Sequence, residues 1–346
     1  MKLPHVLSMV SVWLTLSGVA AGATSTGQKM AEGAGKPLLG TRAPRLVLKT
    51  IDGETIDLAR IYGRQAVYLK FWATWCVPCR EQMPHFEHVY ESAGPDLAVI
   101  AIDVGFNDSI DEVRTYRRRL GITMPIVFDD GQAGAAFNLR VTPQHIVIGR
   151  DGRIQYVGHL ADARLDAALV AARAAAPIGN PDAAVAKAST ETLHYAVGDH
   201  LPRQSPLTID GQRFRFTDAR DQRHTVLVFL SPWCESYLET TRPALSENCR
   251  RMRERVNEVA EDHGARWLGI ASGLWATPDD LREYRSKYGV HIPLSLDQSG
   301  ALFRAFNVTQ VPAALVTDGN GRIVRRIEPR DLETSAALRE AVNTTD

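Results

Sequence analysis

The sequence predicts an α/β protein built as two tandem domains, each a mixed central β-sheet flanked by α-helices. Three observations carry that expectation. The chain has 346 residues, more than one typical domain needs and comfortable for two. Its halves match in register: Gly40/Gly198, Pro44/Pro202, Phe71/Phe229, Trp75/Trp233 and Cys76/Cys234 stand 158 positions apart. Further on, Gly105/Gly273, Tyr116/Tyr284 and Pro125/Pro293 stand 168 apart, and Phe137/Phe306, Asn138/Asn307 and Pro143/Pro312 stand 169 apart. Such steady offsets mean a duplication with ten residues inserted after Cys234, and a period this long means two domains rather than a solenoid. Within each half, short apolar runs alternate with polar, periodic segments, as in a sheet covered on both faces by helices.

In chain order, residues 1–23 read as an export signal: Lys2, an apolar run from Val6 to Leu16, then small residues from Ala20 to Ala23. The run is shorter than the roughly 20 residues of a spanning helix, so no transmembrane segment is expected after cleavage. No cysteine precedes Cys76, which argues against a lipidated N-terminal cysteine. The first domain, 37–176, carries a buried strand in "QAVYLKFWAT", a helix after its cysteines, a strand in "LAVIAIDVG" and a helix in "SIDEVRTYRRRLG". A hairpin over "QHIVIGRDGRIQYVG" and a last helix, "ADARLDAALVAARAAA", complete it. A stretch rich in Ala with Pro, Gly and Asn marks a linker at 177–194. The second domain, 195–346, repeats the order through "HTVLVFLSP", "ARWLGIASG", "TPDDLREYRSKYG" and "AALVTDGNGRIVRRI".

Forty basic residues balance forty acidic ones, which removes any general electrostatic attraction to nucleic acid or an anionic membrane. An exported chain works where disulfides persist. Four cysteines, Cys76, Cys79, Cys234 and Cys249, are too few for a disulfide scaffold, so a chemical role is expected.

"WCVPC" places Cys76 and Cys79 directly after a buried strand and at a helix start. Free N–H groups and partial positive charge there stabilise a thiolate. Cys76 is therefore expected to be the exposed nucleophile, and Cys79, one turn on and more buried, the thiol that resolves a mixed disulfide. A zinc cluster with His85 and His88 is disfavoured, because all four groups would lie along one helix and could not converge tetrahedrally. No metal and no cofactor are expected.

"FWATWCVPCREQMPHFE", followed by "VTPQ", resembles the thioredoxin superfamily, and within it the exported TlpA/ResA-like thiol-disulfide oxidoreductases, over about residues 37–175. The resemblance implies a cis proline at Pro143 lying against the cysteines and shaping a groove where a partner's backbone docks. Thr142 and Pro143 are thereby substrate-contact candidates, with Trp75 and Pro78 beside them. It also implies protein disulfide or dithiol substrates, a reductive role and a membrane thiol donor. The chain departs from the family at Gln82, where a glutamate often stands three residues after the second cysteine.

The second copy keeps Trp233, Cys234 and Val311-Pro312, but Tyr237 stands where a resolving cysteine would be. On one continuous helix Cys249 would lie roughly 22 Å from Cys234, beyond disulfide reach, so it is expected to be a buried apolar residue. Three readings stay open for Cys234 with Pro312. One is a degenerate domain kept for binding or positioning; another is a monothiol site forming mixed disulfides. The third is peroxidatic chemistry, for which Ser231 is a partial motif match. A redox-linked peptide-binding protein or chaperone is the competing class for the whole chain.

Overall fold

The computed structural model describes residues 26–176, 193–217, 221, 223–261 and 264–329. The expected export signal and nearly all of the expected linker lie outside the described residues. Among the described residues, no helix is long and apolar enough to cross a membrane.

The first half opens with α1 (Thr26–Gly35), a helix the sequence reading did not anticipate. It lies against the sheet so closely that a Cβ on Gly27 would meet the His159 ring at 2.5 Å and one on Gly35 would meet Val157 at 2.5 Å. A small ribbon, β1 (Val47–Lys49) and β2 (Thr55–Asp57), leads into α2 (Leu58–Ile61). The main run is β3 (Ala66–Trp72), α3 (Val77–Glu81), α4 (Met83–Glu91), β4 (Leu97–Asp103), α5 (Ile110–Leu120), β5 (Ile126–Phe128) and α6 (Gln132–Ala136). It closes with β6 (Gln144–Ile148), β7 (Ile154–Gly158) and α7 (Ala163–Ala174). The sheet order is β5-β4-β3-β6-β7, with β3, β4 and β5 parallel and β6 and β7 antiparallel.

The second half repeats this as β8 (His224–Leu230), α8 (Cys234–Tyr237), α9 (Pro243–Ala260), β9 (Ala265–Ser272), α10 (Pro278–Tyr288), β10 (Leu294–Asp297), α11 (Ala301–Ala305), β11 (Ala313–Thr317) and β12 (Ile323–Ile327). Its sheet order, β10-β9-β8-β11-β12, is the same topology. Local chemistry repeats too. Ser109 with Glu112 and Thr277 with Asp280 form capping boxes, satisfying the first free N–H groups of α5 and α10. Gly121 and Gly289 end those helices at φ 64° and 58°, left-handed values that glycine adopts without penalty. The insertion lengthens the second helix, from 9 residues in α4 to 18 in α9, and the turn before it.

The halves share a core. One apolar cluster runs through Phe71, Trp75 and Phe137 of the first and Phe229, Phe303 and Phe306 of the second. Rings cross the boundary at Trp75–Trp233, with centroids 5.0 Å apart, and at Phe106–Phe303, 5.9 Å. Backbone bonds cross it reciprocally. The Asn107 N–H donates to the Thr309 carbonyl and the Trp275 N–H to the Arg140 carbonyl, both at 2.8 Å. Asn107 and Trp275 are equivalent under the repeat, as are Arg140 and Thr309, so the same surface of each copy meets the other around an approximate twofold axis.

Candidate active site

Strand β3 delivers the chain to Thr74 and Trp75, and α3 begins immediately after Cys76. Cys76 and Cys79 are joined in a disulfide with Cα atoms 5.2 Å apart. The Cys76 sulfur caps α3, accepting from the Cys79 N–H at 3.2 Å, and Pro78 sits in the first turn, where no amide donor is needed. On the other side, the Cys76 sulfur lies 3.4 Å from the Thr142 carbonyl oxygen. The Thr142–Pro143 bond is cis, as is Val311–Pro312. Trp75, 1% exposed, donates its ring N–H to the Phe106 carbonyl at 2.7 Å. Trp233 repeats that bond to Leu274 at 2.8 Å.

Below the pair lies a buried polar layer. The Lys70 ammonium donates to the Cys79 carbonyl at 3.4 Å, and burial lowers its pKa to about 7. Gln82 accepts through Oε1 from the His145 Nε2–H at 2.8 Å and donates through Nε2 to the His159 carbonyl at 3.2 Å. That orientation leaves His145 Nδ1 to accept from the Tyr68 hydroxyl at 2.8 Å. Burial first, then the nearby Lys70 charge, holds His145 well below its usual pKa, so it is neutral. The His159 Nδ1–H donates to the Pro143 carbonyl at 2.7 Å, and His159 is held by Gln28 of α1, whose Oε1 accepts the His159 amide at 2.8 Å. Gln82, the departure from the family pattern, thus ties the cysteine helix to the strand bearing the cis proline's neighbour.

Above the pair lies the second half. The Val77 N–H donates to the Tyr237 phenol oxygen at 3.0 Å, and the Tyr237 ring stands edge-on to Trp75 at 6.2 Å. The Trp275 ring N–H donates to the Thr142 hydroxyl at 3.2 Å, and its ring meets His159 at 5.4 Å. Arg242 reaches Glu112 at 2.5 Å, Thr74 at 2.6 Å and Asp108 at 2.8 Å. Burial pushes the Asp108 carboxyl up to about 6, against the opposing pull of its Thr74 and Arg242 contacts. Cys76 was expected to be exposed and is 1% exposed; it lies between its own helix start, the Thr142 carbonyl and this cover.

The second cysteine pair also differs from expectation. Cys234 and Cys249 are bonded, with Cα atoms 6.2 Å apart. The helix assumed to separate them is two helices: α8 ends at Tyr237, the chain turns through 238–242, and Pro243 starts α9. Cys249 is therefore a disulfide partner and Cys234 is not a free thiol. Ser231 is buried, with no partner for its hydroxyl among the described residues. Of the residues singled out in the sequence, Cys76, Cys79, Trp75, Pro78, Thr142 and Pro143 converge on one site. Cys234 and Pro312 belong to the second half's equivalent region. Sequence reasoning missed Tyr237, Arg242 and Trp275 as parts of the first site; the one available signal was that Tyr237 stands in register with Cys79.

The family described as AhpC/TSA matches residues 39–157. Over 117 residues the chain is 35% identical to the thioredoxin-like protein YneN of Bacillus subtilis, a match spanning 34% of this chain and 68% of that protein. It is likewise 35% identical over 117 residues to the thiol-disulfide oxidoreductase ResA of Halalkalibacterium halodurans, spanning 33% of this chain and 65% of ResA. With ResA of Bacillus thuringiensis it shares 30% identity over 170 residues, 48% of this chain and 95% of that one. The chain thus spans about two thirds of the first two relatives, 68% and 65%, and nearly all of the third.

Proposed function

The chain belongs to the thioredoxin-like AhpC/TSA family, with ResA-type thiol-disulfide oxidoreductases among its relatives, and from that premise we propose that its first half exchanges disulfides with protein substrates in the periplasm, as a reductase. The observation that carries this is the placement of the Cys76 sulfur, bonded to Cys79 and held between the Cys79 N–H at 3.2 Å and the Thr142 carbonyl at 3.4 Å, beside the cis proline. In the reduced enzyme, the Cys79 N–H stabilises a Cys76 thiolate. That thiolate attacks one sulfur of a substrate disulfide and expels the other as a thiolate. Cys79 then attacks the Cys76 sulfur, re-forming the internal bond and releasing the second substrate sulfur. Two electrons pass to the substrate, and an external dithiol, such as a membrane thiol donor, returns them. Thr142, Pro143, Trp75 and Pro78 line the approach.

The export pattern at residues 1–23 and the presence of two disulfides support the compartment. The reducing direction rests on the resemblance of the WCVPC segment to TlpA/ResA-like oxidoreductases. Because Cys234 is bonded to Cys249, we assign the second half to positioning and binding rather than to a monothiol relay or peroxide chemistry.

The test is reduction of a protein disulfide, such as insulin, with a dithiol as electron source. Cys76→Ser should abolish turnover, and Cys79→Ser should accumulate a mixed disulfide at Cys76. A reductase requires a pair potential nearer the about −270 mV of thioredoxin than the about −120 mV of a strong oxidant. Turnover that persists in Cys76→Ser would overturn the assignment, and retained peptide binding without turnover in the wild type would favour the chaperone class.

A further inference from the structure

We propose that Tyr237 and Arg242 occupy the first half's docking groove as an intramolecular competitor, and that the groove selects polypeptide segments bearing an aromatic side chain and a basic one. This rests on the oxidoreductase reading and adds the regulation and selectivity of the same site.

A nucleophilic sulfur must meet its substrate, yet Cys76 is 1% exposed. Among the groups around it, several belong to the second half. The Tyr237 phenol oxygen accepts the Val77 N–H at 3.0 Å, one residue from Cys76, and the ring packs edge-on to Trp75. Five residues on, Arg242 bridges Glu112 and Asp108, and the Asp108 side chain is 0% exposed beneath it. A protein substrate reaching Cys76 must displace this segment. It then faces what the segment leaves: a backbone donor at Val77, the Trp75 ring and two carboxylates. An aromatic ring with a guanidinium or ammonium group satisfies those groups. An acidic segment would bring like charge against Asp108 and Glu112, a repulsion that discriminates as strongly as attraction does. While the segment is docked, only the open fraction of molecules reacts, so the apparent rate falls by that fraction.

The experiment uses the full chain, reduced with a dithiol and freed of it. Two readouts are taken: the rate of iodoacetamide alkylation at Cys76, located by mass spectrometry, and the rate of reducing two cystine peptides that differ only in Arg or Glu beside a Tyr. In a Tyr237→Ala, Arg242→Ala variant, alkylation should accelerate about tenfold. The Arg peptide should be reduced about tenfold faster than the Glu peptide. Glu112→Gln in that background keeps the helix cap and should narrow the peptide preference. Tyr237→Phe, which removes only the phenol oxygen, should move alkylation in the same direction by less, so a folding defect in the double variant would not obscure the answer. Equal alkylation rates in wild type and both variants, or equal rates for the two peptides, would overturn the proposal while leaving the oxidoreductase reading intact. Failure of every form to reduce any disulfide would remove that reading itself.

Discussion

At the scale of single residues, Lys70 is the most consequential side chain outside the cysteines. It lies on the central strand, fully buried, its ammonium 3.4 Å from the Cys79 carbonyl and 5.2 Å from the Phe86 ring centre. Among the described residues no carboxylate pairs with it. Burial lowers its pKa from 10.5 to about 7, and the direction fixes a pH dependence. Above about pH 7 the folded protein releases this proton while the unfolded chain keeps it until about 10.5. Stability should therefore rise with pH across that window, by up to about 1.4 kcal/mol per unit, and lose this slope below it. Lys70→Met should flatten the rise, as read from urea midpoints at pH 7 and 9. An unchanged slope in the variant would mean the charge is not paid for in folding. The burial was half legible: "QAVYLKFWAT" reads as a strand covered on both faces, which traps whatever residue stands at position 70. Which polar groups would surround it depended on Tyr68, His145 and Gln82 meeting in three dimensions, and no sequence spacing announces that.

At the scale of elements, the decisive feature is the break between α8 and α9. Reading 234–249 as one helix put the two cysteines far apart, yet the sequence carried the contrary signal in Pro243. Proline is pre-organised for the first turn of a helix and disfavoured inside one, and here it starts α9. The turn folds α9 back on α8, where the Ser246 hydroxyl donates to the Glu235 carbonyl at 2.6 Å and Arg253 pairs with Glu235 at 2.8 Å. The Cys234–Cys249 bond closes a loop with a sequence separation of 15. Closing a loop of that length stabilises by about 3 kcal/mol, chiefly through the unfolded state. Replacing both cysteines by serine should lower the urea midpoint accordingly, whereas an unchanged midpoint would show the helix pair to be held by its packing alone. The short elements were hidden for a simpler reason. Strand β5 has 3 residues and α6 has 5, too few to express a period.

At the scale of the whole molecule, the repeat made the two sheets legible because steady offsets preserve strands, caps and turns alike. It left open how the halves face each other, since several contacts across the boundary fall where the copies differ: Tyr237 stands opposite Cys79 in register, and Trp275 opposite Asn107. Domains of one chain usually meet through modest, polar surfaces and unfold separately unless the contact is large and apolar. Here the apolar cluster is continuous from Phe71 and Trp75 to Phe229 and Phe306, and the partly buried Trp233 ring packs against it beside Trp75, with centroids 5.0 Å apart. Exposing that shared surface by unfolding either half alone costs the other half its cover, so the wild type should melt in one calorimetric transition, with van't Hoff and calorimetric enthalpies in agreement. Trp233→Ala should lower stability by about 3 kcal/mol or less, because the ring is only partly buried and the full range of about 3–5 kcal/mol belongs to an aromatic side chain inside a core. Because its cost falls on the boundary rather than inside either sheet, it should also split the transition in two. Two transitions already present in the wild type, or a single one persisting in Trp233→Ala after a large loss of stability, would show that the halves are coupled by something other than this stack.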